Sequence, residues 1–130
     1  MTRLSLLRDE EEEVFDKITN YYNDLQLLAR ETNNKIDYAQ KDEQRVLSRL
    51  RVKKARAEES ETRTQGKVRY LELLIQAKEC YYDDLKFRIQ RLFEEKRKHL
   101  EEQIEKNKLK MKKIQDKIKM KLEIQEEQEE

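Results

Sequence analysis

Six residues recur almost unchanged in this chain: NYYNDL at 20–25 and CYYDDL at 80–85. Paired tyrosines beside acids could form a duplicated binding site or a phosphorylation switch. Asp24, Asp83 and Asp84 give Tyr21 and Tyr81 the acidic context a switch would use. Cys80 leads the second pair, His99 precedes Leu100, and each is the only residue of its type. A thiol nucleophile needs a neighbouring base, so an unreactive, partly buried thiol flanking the apolar stripe is expected at Cys80. A metal site at His99 would need further His or Cys ligands, and the chain supplies none nearby, so a solvated helical histidine is expected. The chain also lacks a glycine-rich phosphate loop. The sequence therefore points to no catalytic, cofactor-binding or metal-ligating residue, no small-molecule substrate and no enzymatic activity.

Charge is the other chemistry on offer, and it comes in blocks. Residues 9–13 read DEEEE, and the chain turns acidic again from Glu123 to Glu130. Between Lys41 and Arg56 stand seven Lys or Arg against Asp42 and Glu43, and between Lys106 and Lys121 eight lysines against Asp116 alone. Arg45, Arg49, Lys53 and Arg56 recur every three to four residues, as do Lys106, Lys110, Lys113 and Lys117. On a helix that spacing makes two one-sided basic stripes. Such stripes suit nucleic acid or an acidic protein surface of chromatin or the cytoskeleton. No aromatic residue interleaves the 106–121 lysines to stack on bases, so nucleic acid is the less favoured partner. The blocks could instead choose which helix lies beside which.

The elements that must carry these residues follow from composition. Of 130 residues, 45% are charged and 35% hydrophobic, with one glycine and no proline. An ordinary domain carries roughly 25% charge and about half apolar residues, so this chain cannot enclose a globular core of its own. Without proline, and rich in Glu, Lys, Leu, Arg, Gln and Ile, it favours helix over disorder. Net charge is +1. A single cysteine excludes an internal disulfide and fits an intracellular setting, cytoplasmic or nuclear. The leucines of MTRLSLLRDEEEE run straight into acid, too short an apolar stretch for a signal peptide. No apolar run approaches the ~20 residues of a membrane span.

Every seventh residue from Phe15 gives Phe15, Tyr22, Ala29, Ile36, Glu43, Leu50 and Ala57. Three residues further on stand Ile18, Leu25, Thr32, Ala39, Val46, Lys53 and Ser60. This is the 3,4 spacing of a coiled-coil seam, with Glu43 and Lys53 as polar members. It runs through ETNNK (31–35) without a phase change, placing Asn33 and Asn34 at exposed helical positions. Residues 58–67 hold no large apolar side chain and include Gly66. Beyond them the phase resumes, displaced by four residues, at Val68, Leu71, Ile75, Tyr82, Leu85, Ile89 and Leu92, with Lys78 as the polar exception. From Ile89 an eleven-residue step relates Ile89, Leu100, Met111 and Leu122, and relates Phe93 to Ile104. Ile114 and Ile118 belong to the same set, which predicts straight or slightly right-handed packing.

The expected fold is an all-α elongated coiled coil in one of two forms. One is a single helix of ~195 Å with a stutter at 58–67; the other is an antiparallel hairpin turning near Gly66. Because a lone glycine costs a helix only ~1 kcal/mol, the continuous rod is the favoured form. The hairpin has its own argument, since it would bring the acidic 9–13 stretch opposite the lysines of 106–121. The expected divisions are a heptad helix at 1–57, the stutter or hinge at 58–67, a second coiled-coil helix at 68–125 and a frayed acidic tail at 126–130. In this register Tyr22 and Tyr82 pack on the seam, followed by Leu25 and Leu85, while Tyr21 and Tyr81 flank it. Placing Asp at both Leu25 and Leu85 would then abolish association, because charge would be buried in the coil.

The function expected from this pattern is a non-enzymatic scaffold, spacer or assembly subunit. It would associate with other helices, either its own copies or a hetero-coiled-coil partner. A binding module acting through the two basic stripes is the alternative.

Overall fold

The computed structural model describes residues 2–60 and 65–129, with side chains placed through residue 127. The protein is all-α: α1 spans Arg3–Glu59 and α2 spans Gln65–Glu129, with no strand among the described residues. Thr2 caps α1, its Oγ1 accepting a hydrogen bond from the Ser5 amide at 3.1 Å, which satisfies one of the amides that a helix start leaves unpaired. Arg56 sits in the last turn, where a cation opposes the negative end of the helix dipole. Residues 31–35 stay helical with Asn33 and Asn34 exposed.

The helices pack in two compact units, Met1–Leu28 with Glu95–Glu130, and Ala29–Glu94. The second unit is a helical hairpin. Its core is Leu50, Ala57, Val68 and Leu71, with Val46, Leu74 and Ile75 packed against it. Ion pairs show the direction: Glu43 meets Lys86, Arg51 meets Glu79 and Lys54 meets Glu72, at 3.1, 3.4 and 3.6 Å. As numbers rise along α1 they fall along α2, so the pair is antiparallel.

The hairpin therefore replaces the continuous rod that the sequence favoured. The apolar phase on the two sides of 58–67 belongs to two helices that pack on each other, and one short connection makes that pairing intramolecular. Gly66 is not the turning residue; it lies in the first turn of α2 without a positive φ, and a Cβ there would meet nothing within 4 Å. Of the expected hinge, residues 61–64 lie outside the described residues. At the other end, α2 continues through Glu129, beyond the point where the acidic tail was expected to fray, and Glu130 lies outside the described residues.

In the first unit Val14, Ile114 and Ile118 form the buried cluster, supported by Leu4, Leu7, Ile18 and Met111. Ile104 and Asn107 are also buried, and Asn107 Nδ2 donates to the Gln103 carbonyl at 2.7 Å. That bond within the helix lets an amide occupy an apolar seam without an unsatisfied donor. The covered positions from Leu100 on are Leu100, Gln103, Ile104, Asn107, Met111, Ile114, Ile118 and Lys121. Apart from Gln103 they alternate at spacings of 4 and 3. The eleven-residue step relates covered positions from Ile89 to Leu100 to Met111 and from Phe93 to Ile104, ending at Leu122, which is exposed.

Candidate interaction surface

Most residues expected on the seam are buried or half-buried within the chain, but Phe15, Tyr22 and Leu92 are exposed. Val14 is buried and Tyr21 half-buried where Phe15 and Tyr22 were expected. Both registers share Ile18 and Leu25. They part because a helical residue four before Ile18 lies about 40° to one side of it and a residue three before lies about 60° to the other. Packing of Val14 on Ile114 and Ile118 selects the first side. From Leu25 on, the expected positions Ala29, Thr32, Ile36 and Ala39 are all covered, so the 3,4 register runs through 31–35 unchanged, with Leu28 covered beside Ala29.

The twin tyrosine motifs consequently take different places. Tyr82 is 4% exposed and Tyr22 44%. Tyr21 is half-buried and Tyr81 exposed. Tyr22 has the Lys108 ammonium 5.6 Å above its ring, a surface cation–π contact. Tyr81 meets Tyr82 edge to face at 5.1 Å and has Lys78 5.8 Å from its ring centre. Cys80 is exposed, not partly buried. Of the polar positions expected on the first-half seam, Glu43 is there, but Lys53 is exposed and Lys54 takes the inner place, between Glu58 and Glu72.

Two consecutive acids of α1 build a polar layer across the hairpin unit. Tyr82 Oη donates to Asp42 Oδ2 at 2.8 Å. One turn further along α2, Lys86 Nζ lies 3.1 Å from Glu43 Oε2, with the two side chains only 28% and 19% exposed. That oxygen has no hydrogen-bond donor aligned with it, so the contact is an ion pair without a hydrogen bond. Sliding the helices by one residue would separate both pairs at once, and polar layers of this kind are the best attested means of specifying register.

The hydrogen bond to the Asp42 carboxylate, reinforced by burial and by the charge of Asp42, pushes the Tyr82 hydroxyl up to about 12. The folded value lies above the ordinary 10.0, so the neutral phenol is favoured by folding. Its stabilising contribution is complete below pH 10.0 and is lost as pH rises to about 12. In an absorbance titration Tyr82→Phe is expected to remove the last tyrosinate step, near pH 12. An unchanged curve would show that the Tyr82–Asp42 bond does not form.

Beside the polar layer lies a shallow groove lined by Asn34, Lys35, Tyr38, Ala39 and Asp42 on α1 and by Tyr81, Leu85 and Ile89 on α2. Tyr38 is 75% exposed. The eight cations of the expected basic surface, Arg45, Arg49, Lys53, Arg56, Lys106, Lys110, Lys113 and Lys117, are all exposed. No ion pair among the described residues engages any of them. No group of acids, His and Cys able to hold a metal stands among the described residues, and no described helix is long and apolar enough to cross a membrane.

These features define a class: a two-helix, all-α chain whose helices pair antiparallel through a narrow apolar seam. Comparison with protein-family models, curated proteins and solved structures gives no match.

Proposed function

We propose that this protein is a non-enzymatic helical scaffold or assembly subunit that works by helix–helix association. One observation carries the reading. Most seam residues are covered inside each unit, yet large apolar side chains still face outward, among them Tyr38, Tyr70 and Phe87 in one unit and Leu109 and Met120 in the other. In a chain with so few apolar residues, those left outside are available to a further helix. The polar layer at Asp42, Glu43, Tyr82 and Lys86 would hold the register in which that outer face is presented. The setting we propose is intracellular, as the single cysteine suggests.

The second reading, a module for nucleic acid or an acidic protein surface, is supported by the eight exposed cations, none of them in an ion pair among the described residues. Salt separates the two. Apolar helix contact should hold or tighten as salt rises, whereas phosphate contact should weaken steeply. The expected result is that complexes recovered with the chain survive high salt and are lost when Tyr38, Tyr70 and Phe87 are replaced by Ser, with helicity unchanged. Complexes that dissolve in salt, and vanish with Arg45, Arg49, Lys53 and Arg56 changed to Glu, would replace the scaffold reading with the second one.

A further inference from the structure

The unit formed by Met1–Leu28 and Glu95–Glu130 carries an open groove of about 490 Å³ between its two helices. Its floor is apolar, made by Leu6 and Leu7 of α1 and Met120 and Ile124 of α2. Leu6, Met120 and Ile124 are 47%, 62% and 50% exposed. An apolar patch rimmed by charge is the usual mark of a protein contact. Here the two rims differ in sign. Glu10 stands on the α1 wall, Lys117 and Lys121 on the α2 wall, and none of the three forms an ion pair among the described residues. Arg3 is the only cation on the α1 wall and lies at its far end. Helical spacing extends both rims, since Glu13 follows Glu10 by three residues and Lys113 precedes Lys117 by four.

We propose that this groove is the contact by which the chain pairs with a second copy of itself. The inference rests on the helix-association reading and names its partner. A two-fold axis running parallel to the groove sets the acidic wall of each copy against the basic wall of the other and brings the two apolar floors together. That is the self-complementary geometry of an isologous dimer. A stranger would need apolar residues and both charge signs in matching order, whereas a second copy carries them by construction. An anionic membrane would meet Glu10 and Glu13 as well as the lysines, and is the less suited occupant.

The test is sedimentation equilibrium of the full chain. The expected species has twice the 16.0 kDa of one chain. Met120→Asp with Ile124→Asp should raise the dissociation constant on the order of a hundredfold, because two carboxylates enter an apolar contact. Helicity should be unchanged, because both positions are exposed. Glu10→Lys alone, and Lys117→Glu with Lys121→Glu alone, should each give monomers, and mixing these two chains should restore the dimer. A dimer untouched by the Met120 and Ile124 changes overturns the groove while leaving helix association standing. Two variant chains that stay monomeric when mixed also overturn it. A wild-type chain that is monomeric at every concentration overturns the second copy as partner, and its binding to anionic vesicles would then assign the groove to a membrane surface. In that case the salt response described above still decides the scaffold reading.

Discussion

Val14→Asp is expected to destabilise the chain by about 3 kcal/mol or more, while Phe15→Asp, one residue along, stays within about 1 kcal/mol. Val14 is buried against Ile114 and Ile118. The first substitution therefore removes a buried side chain and puts an unpaired carboxylate in an apolar cluster. Phe15 is 58% exposed, so the second exchanges an aromatic ring for a carboxylate in solvent. Both pay the same modest helix-propensity penalty of Asp, and the difference between them isolates burial. Thermal unfolding followed by circular dichroism reads both. Equal losses would mean that the seam runs through Phe15, as the bare heptad pattern has it, and that the register described for this unit is wrong.

The second large effect concerns Glu43 and Lys86. Lys86→Met leaves the Glu43 carboxylate, already short of a hydrogen-bond donor, without its counter-charge. The expected cost is about 1–3 kcal/mol, the penalty for a sequestered charged or polar group that loses its partner. Adding Glu43→Leu should return most of that loss, because two apolar side chains replace two charges that were costly to take from water. The pair is thus expected to be strongly non-additive, with the double variant as stable as the parent or more so. Register should suffer instead, since Tyr82–Asp42 alone would then oppose sliding of the helices. Spin labels at Arg51 and Glu79, which face each other in the parent, would show a broadened distance distribution. Additive losses from the two substitutions would sink the idea that Glu43 and Lys86 act as one unit.

Much of the architecture was legible in the residues. The absence of proline and the 3,4 spacing from Leu25 to Leu50 called for helices with a narrow stripe, and that stripe is covered. The acidic 9–13 stretch and the lysines of 106–121 do share one unit, as the hairpin alternative required. The preference for a rod failed for a physical reason. A lone Gly66 is weak evidence of a turn, and helical periodicity is the same whether a seam meets another chain or its own return strand. The twin tyrosine motifs misled more subtly. Identical neighbours suggested identical burial, yet Tyr82 finds Asp42 across the seam while Tyr22 sits outside with Lys108.

What the sequence determined by itself is therefore the kind of element and roughly which third of each helix is apolar, because both follow from local propensity and a period near 3.6. It could not choose between Val14 and Phe15, or between Lys53 and Lys54, since each alternative lies within about 60° of the seam. Only the facing helix chose, by the side chains it brought to that point. The polar layer had the same origin. Glu43 and Tyr82 stand out along the chain only as seam positions, Asp42 and Lys86 not at all, and the four acquire their joint role only when antiparallel pairing sets α1 against α2.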